Sequence, residues 1–186
     1  LDEPFSNLDV DLRERLAHEV RAILKAAGAT ALFVTHDQLE AFAIGDRIGV
    51  MEGGRLHQWD DAAALYRRPA TRFVADFIGH GAFVPATLDG HGLAHTPLGD
   101  VPGVAGRAGA CDLMLRADDV VHDEHSPVKA RIVRKSFRGA WCLYTLELEG
   151  GHTLLAHVPS HHAHAVGDWI GVRAQADGAV AFATEK

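Results

Sequence analysis

The chain has 186 residues and a formal net charge of −7, with 47% hydrophobic and 23% charged residues. This length allows one or two small domains, and the composition is that of an ordinary globular protein. The negative charge is spread over both halves, which disfavours a nucleic-acid partner. Cys111 and Cys142 have no paired-ligand spacing, and no apolar run approaches the ~20 residues of a membrane span. We therefore expect a soluble chain of a reduced, cytoplasmic compartment, which reaches a membrane only through partners.

The first half of the chain begins with alternating helix and strand patterns. Apolar residues spaced three and four apart predict an amphipathic helix that Asp9 caps and Gly28 ends. Residues 30–35, "TALFVT", form a continuous apolar run typical of a strand buried on both faces of a parallel sheet. Asp37 is predicted to cap the next helix, with Glu40 three residues later in a capping-box arrangement.

A hairpin and two short helices are predicted to follow. "RIGVMEGGRLHQW" reads as two strands joined by a glycine-glycine turn. Asp60 is expected to cap a helix over "DAAALYRR", which Pro69 ends, and "TRFVADFIG" predicts one more short helix. Helices that alternate with buried strands indicate an α/β layer fold.

Beyond Gly79 the helical patterns are replaced by short β-rich runs separated by turn residues. The runs are "AFVPATL", "CDLMLR", "KARIVRKSF", "WCLYTLEL", "HTLLAHV", "DWIGVRA" and "AVAFAT". Such runs predict an all-β barrel or sandwich. The sequence therefore predicts two domains, residues 1–80 and residues 81–186, with the boundary near residues 79–84.

Two neighbouring carboxylates, Asp2 and Glu3, lie in the stretch "LDEP". A parallel strand that ends in acids presents them at the edge of the sheet where α/β folds bind ligands. One acid there can hold Mg²⁺, and the other can deprotonate the water that attacks a phosphate. For the dipeptide alone, solvated loop acids are the better explanation. His36 changes this, because it follows the predicted strand at residues 30–35 and would share that edge, where it could bond a terminal phosphate.

The stretch "LDEPFSNLD…VTHDQLEAFAIGDRIGVMEGGRLHQWDDAAALYRRPATRFVADFIG" closely resembles the second half of the ATPase subunit of ABC transporters. The closest likeness is to the maltose, polyamine, sulfate and ferric-iron importers, whose ATPase has an extra C-terminal domain. The resemblance implies a P-loop nucleotide-binding domain of the α/β class. It assigns Asp2 to the Walker B position that holds Mg²⁺, Glu3 to the general base, and His36 to the switch histidine that contacts the γ-phosphate.

The stretch "SNLD" resembles the D-loop, which communicates across a dimer with ATP between its two subunits. By this resemblance Ser6, Asn7 and Asp9 lie at the nucleotide. The β-rich half resembles the TOBE domain, an OB-like barrel that dimerises and can bind regulators. The family's cofactors, ATP and Mg²⁺, are therefore expected here.

The same resemblance implies a homodimer or paired ATPase subunits at the cytoplasmic face of the inner membrane. Membrane permease subunits would be direct partners and a periplasmic solute-binding protein an indirect one. The stretch "FIGHGAFVPATL" favours ferric iron or a polyamine as the transported solute.

The sequence has no G-x-x-x-x-G-K-[ST] phosphate loop, glutamine loop or LSGGQ-type signature. We therefore expect the C-terminal part of a longer ATPase, inactive on ATP by itself. The alternative is a non-enzymatic regulatory and dimerisation module that senses solute or metal. The loop "HVPSHHAH" gathers His157, His161, His162 and His164, and imidazoles this close can bind a transition metal. Without a cysteine or carboxylate nearby, an exposed polar loop is the preferred interpretation.

Overall fold

The protein is described here by a computed structural model covering residues 1–79, 81–176 and 178–184. It divides into two compact units, Leu1–Tyr66 and Arg67–Lys186. This division follows spatial contacts alone, and the domain boundary near residues 79–84 stays a prediction. The elements, in chain order, are α1 (Val10–Ala27), α2 (Gln38–Ile44), β1 (Ile48–Glu52), β2 (Arg55–Asp60), α3 (Ala62–Arg67), α4 (Arg72–Phe77), β3 (Gly81–Leu88), β4 (Ala94–Thr96), β5 (Gly99–Val101), β6 (Gly109–Arg116), β7 (Val120–His122), β8 (Lys129–Phe137), β9 (Trp141–Leu148), β10 (Thr153–Pro159), β11 (Trp169–Ala174) and β12 (Val180–Phe182).

Helix α1 begins and ends where its sequence signals predict. The Asp9 carboxylate accepts a hydrogen bond from the backbone N–H of Leu12 at 2.9 Å, which satisfies one of the unpaired donors of the first turn. Gly28 ends the helix in the left-handed conformation, with φ of 62°. A small core in the first unit contains Phe5, Ala17 and Ile44.

Helix α2 is capped as predicted, but only half of its capping box forms. The Asp37 carboxylate accepts from the N–H groups of Leu39 at 2.8 Å and Glu40 at 3.2 Å. The Glu40 carboxylate does not accept the hydrogen bond from the Asp37 N–H that a full capping box would have, because the Thr35 hydroxyl bonds both groups instead. That hydroxyl donates to Glu40 at 2.6 Å and accepts from the Asp37 N–H at 3.0 Å.

Residues 30–35 do not form the strand buried on both faces that the apolar run predicted. Among the described residues, the segment makes a single parallel bridge, between Val34 and Asp2. Phe33 packs on the small core, whereas Leu32 is 71% and Val34 55% exposed. A strand needs cover on both sides to bury both faces, and only one face is covered here.

The predicted hairpin is confirmed, since β1 and β2 pair in antiparallel register around Gly53 and Gly54. Both glycines have positive φ, 55° and 77°, as the tight turn requires. The cap predicted for α3 was wrong by one residue. Asp61 caps the helix by accepting from the Ala64 N–H at 2.8 Å, whereas Asp60 ends β2 and accepts from Arg47.

The second unit contains two five-stranded sheets that form a near-closed β-barrel. Their strand orders are β10-β9-β8-β11-β7 and β12-β6-β3-β4-β5. All seven predicted β runs are strands, which confirms the all-β prediction for this region. Strands β4, β5 and β7, of three residues each, were not predicted. The inward faces supply one core that includes Leu113, Ile132, Leu146 and Leu154. In the described part of the chain, no helix has the length and apolar character needed to cross a membrane.

Candidate functional site

The backbone brings the acid-bearing stretch beside the segment that leads to His36. The Val34 N–H donates to the Leu1 carbonyl at 2.9 Å, and the Glu3 N–H donates to the Val34 carbonyl at 2.8 Å. The two segments run parallel, so their carboxyl ends lie on the same side. This is the arrangement that the sequence predicted for Glu3 and His36.

Glu3 and His36 form a direct pair at this point. The His36 Nδ1 lies 2.8 Å from the Glu3 Oε1, and the two side chains are 76% and 46% exposed. The hydrogen bond to Glu3 raises the pKa of His36, and the negative charges of Glu3, Asp37 and Glu40 act in the same direction against a small effect of burial. The protonated imidazole is therefore favoured as the donor to the carboxylate.

The turn after Glu3 is held in an uncommon backbone conformation. Glu3 has φ of 41°, the only positive value for a non-glycine residue in the described ranges. The Ser6 N–H and hydroxyl both donate to the Glu3 carbonyl, at 3.3 Å and 3.1 Å. Strained backbone of this kind persists where surrounding contacts fix it, and it clusters at functional sites. The strain gives independent support for a function at Glu3.

The other predicted site residues lie on the same stretch with different surroundings. Asp2 and Asn7 are exposed. The Asp2 carboxylate has the oxygen donors that Mg²⁺ prefers and is accessible to solvent. Ser6 closes the turn at Glu3, whereas the Asp9 carboxylate is engaged in capping α1. The functional roles of these residues, and those of Glu3 and His36, stay predictions.

The sequence did not predict a second layer of contacts built around Arg13. Its guanidinium donates to the Asp37 carboxylate at 2.6 Å and to the Leu8 carbonyl at 3.0 Å. It also lies 3.4 Å from the carboxylate of Glu40, which is 5% exposed. Burial acts to raise the pKa of Asp37, but bonds from the Glu40 and Leu39 N–H groups and from Arg13 lower it overall. Arg13 thus connects Leu8, in the stretch "SNLD", with Asp37, the residue that caps α2 and follows His36.

The stretch "HVPSHHAH" is not simply the exposed loop that the sequence predicted: His157 belongs to strand β10, and of its four histidines only His161 is exposed. His157 pairs with Asp118 and packs against Trp141, with ring centroids 4.1 Å apart. His162 and His164 instead meet His122, and one ligand atom of each lies within 4.8 Å of the others. His122 was not predicted as a member of this cluster, because it is far from the loop in sequence and only the fold brings it there.

Comparison with known proteins finds relatives that are named as import ATP-binding proteins. The sn-glycerol-3-phosphate import ATP-binding protein of Ruegeria pomeroyi is 38% identical over 167 residues, which is 88% of this chain and 48% of that protein. The Fe(3+) ions import ATP-binding protein of Streptomyces avermitilis is 40% identical over 151 residues, 80% of this chain and 44% of that protein. The sulfate/thiosulfate import ATP-binding protein of Chromobacterium violaceum is 37% identical over 161 residues, 81% and 43% of the two chains.

The chain spans about half the length of the curated relatives it matches, and it corresponds to their C-terminal part. The family model of the TOBE domain matches residues 113–182, which lie within the β-barrel unit. The fold class and the family resemblance predicted from the sequence are thereby confirmed. Over most of its length the chain is therefore similar to the C-terminal part of the ATP-binding subunits of ABC importers, and residues 113–182 match the TOBE domain.

Proposed function

We propose that the whole protein hydrolyses ATP to drive solute uptake through an ABC importer. In this proposal, residues 1–80 belong to the nucleotide-binding domain and residues 81–186 form the regulatory domain. The observation that carries the proposal is the pairing of Glu3 with His36 at 2.8 Å, at the adjoining ends of two parallel segments. The relatives are named as import ATP-binding proteins, which supports the same reaction.

Glu3 is assigned as the general base and His36 as the residue that contacts the terminal phosphate. The Glu3 carboxylate is accessible and can orient a water molecule and remove its proton. The raised pKa of His36 favours its protonated form, which can donate a hydrogen bond to an anion. Asp2 offers carboxylate oxygens suited to Mg²⁺, the ion that neutralises phosphate charge in this reaction class. Ser6, Asn7 and Asp9 would complete the site at the dimer interface.

The proposed assembly is a pair of these subunits bound to membrane permease subunits at the cytoplasmic face of the inner membrane. A periplasmic solute-binding protein would deliver the cargo. Ferric iron or a polyamine stays the predicted solute, whereas the names of the relatives cover glycerol 3-phosphate, ferric ions and sulfate. Nucleic acid is not part of the proposal.

The decisive experiment is steady-state ATP turnover of the complete protein assembled with its permease. Replacing a general base typically costs ~10²–10⁴-fold in rate, so Glu3→Gln should lower turnover by that factor while ATP still binds. Glu14→Gln is the matched control, because Glu14 is an exposed glutamate on α1 away from the Glu3–His36 pair. Wild-type turnover in Glu3→Gln would remove Glu3 from the role of base.

A second candidate function is regulation and dimerisation without catalysis by this chain. It is favoured by the β-barrel unit, which has an extensive core of its own, and by the lack of a phosphate loop in the 186 residues. We propose accordingly that the chain alone does not hydrolyse ATP. Analytical ultracentrifugation of the 186-residue chain tests this candidate, which requires a dimer whose formation does not depend on ATP. A chain that stays monomeric at high concentration would contradict it.

A further inference from the structure

We propose that His122, His162 and His164 form a binding site for a divalent transition-metal cation, with Zn²⁺ as the probe ion. His122 ends strand β7, and the other two histidines lie in the loop after β10. All three are partly buried, and the loop brings His162 and His164 beside His122. The site therefore joins two segments that are distant in sequence.

The spacing of the three rings is close to what a metal ion needs. One ligand atom from each histidine lies within 4.8 Å of the other two. Nitrogens bound to tetrahedral Zn²⁺ at 2.0–2.1 Å are about 3.3 Å apart, so closure requires each pair to approach by at most ~1.5 Å. The ring centroids lie 4.8 to 5.4 Å apart, so each of the three imidazoles is a direct neighbour of the other two.

Backbone and side-chain contacts hold both segments in place without using the imidazole nitrogens. His122 is in register with Val172 of β11. The His162 N–H donates to the Pro159 carbonyl at 3.1 Å, and the Lys135 ammonium donates to the His164 carbonyl at 2.8 Å. The rings are thus positioned in advance, which reduces the entropy lost when they bind an ion.

The rings also have lone pairs available. Within the described ranges, none of the three imidazoles donates to or accepts from a protein group, and the buried His164 Nδ1 has no hydrogen-bond partner. Burial lowers the pKa of His122 and His162, and the neighbouring histidines lower both further, which favours the neutral ligand form. His157 differs, because its Nδ1 is engaged by Asp118.

The pocket beside the cluster and the type of ligand indicate the class of ion. A pocket of about 400 Å³ is lined by His122 and His164 together with Glu124, Lys129 and Asp168. A water molecule from this pocket can take the fourth position, as it does in three-ligand zinc sites, and Glu124 and Asp168 add negative charge to the same pocket. Lys129 is the opposing positive charge, and its ammonium is directed to the Glu124 carbonyl at 3.3 Å. Imidazole ligands select Zn²⁺, Ni²⁺ or Cu²⁺ over Mg²⁺ and Ca²⁺, which prefer oxygen.

The test is calorimetric titration of Zn²⁺ into the untagged 186-residue chain at neutral pH. We expect one ion per chain and an affinity at least ~10–100-fold weaker in His122→Ala and in His162→Ala, because even outer-shell changes cost that much. His125→Ala and His157→Ala are the controls and should bind as the wild type does, since His125 is 96% exposed and His157 is engaged elsewhere. Wild-type affinity in His122→Ala would overturn the site, as would binding that depends on His157.

Two further measurements keep the result unambiguous. Co²⁺ bound by the wild type should show the visible absorption of a tetrahedral nitrogen-ligated ion, and this band should be absent in His164→Gln. A band that persists in a folded His164→Gln chain would overturn the ligand assignment. Circular dichroism checks the fold of each variant. An alanine variant that does not fold is replaced by the glutamine variant at the same position. Because no nucleotide is present, failure here leaves the ATPase proposal untouched, and failure of the Glu3 experiment leaves this site untouched.

Discussion

Asp9 has both a structural role that the structure shows and a functional role that the D-loop resemblance implies. Its carboxylate accepts from the Leu12 N–H at 2.9 Å and begins the 18-residue helix α1. Two substitutions separate the roles. Asp9→Ala removes the cap, whereas Asp9→Asn keeps a side-chain oxygen that can accept the same bond.

The expected magnitudes follow from the contact. Loss of an Asp cap to alanine costs ~1 kcal/mol, within a range of about 0.5–2 kcal/mol. Asparagine caps about as well as aspartate, so Asp9→Asn loses only the attraction of its charge to the helix dipole, about 0.3 kcal/mol at this exposed position. In a unit of this size, 1 kcal/mol corresponds to a melting shift of about 4–8 °C. Asp9→Ala should therefore shift the melting of α1 several-fold more than Asp9→Asn.

Far-UV circular dichroism of the thermal transition measures the first role, and ATP turnover of the complete protein measures the second. Asp11→Ala is the matched control, because Asp11 is an acid in the same first turn that does not cap. We expect both Asp9 variants to lose turnover and only Asp9→Ala to lose substantial helix stability. Equal destabilisation by Asn and Ala would refute the capping argument, and full turnover in Asp9→Asn would leave Asp9 with the structural role alone.

Three other properties can be checked on the 186-residue chain. The pKa of His36, followed by NMR titration, should fall toward its ordinary value in Glu3→Gln, because the hydrogen bond to Glu3 raises it. The stability that this pair contributes is present below the ordinary histidine pKa and is lost as pH rises through the raised value. An unchanged pKa of His36 in Glu3→Gln would show that the pair is not formed. Gly171→Ala should lower the free energy of unfolding in urea by ~1–3 kcal/mol, since the added Cβ would overlap a backbone carbonyl, whereas Gly90→Ala has open space and should change it by less than ~0.5 kcal/mol. Burial raises the pKa of the Cys111 thiol, so it should react with a thiol reagent only after unfolding, and rapid labelling of the native chain would contradict the buried position.

The elements that could be predicted from sequence are those whose signals are local. The cap at Asp9, the stop at Gly28 and the turn at Gly53 depend on residues within a few positions of each other. The long strands β8 and β9 carry enough alternating residues to be recognised, and their predicted bounds match the structure.

The features that could not be predicted depend on contacts between distant residues. Thr35 is a short-range exception: its hydroxyl bonds both the Asp37 N–H and the Glu40 carboxylate, and the capping-box pattern does not include the residue two positions before the cap. Residues 30–35 are partly exposed because strand burial is decided by neighbouring strands, which a local apolar run does not specify. His122 joins the loop histidines through the pairing of β7 with β11, which brings together residues that are far apart in the sequence.

The histidines of the two units have opposite electrostatic surroundings. His36 stands beside carboxylates in a solvent-exposed position, so its pKa is raised and its proton can be offered to an anion. His122 and His162 are partly buried and face other imidazoles, so their pKa values are lowered and their lone pairs can be offered to a cation. The contrast follows from neighbours and burial, which the residues next to each histidine in the sequence do not specify. A phosphate contact at the first site and a metal site at the second are therefore compatible within one chain, because each uses the protonation state that its own surroundings favour.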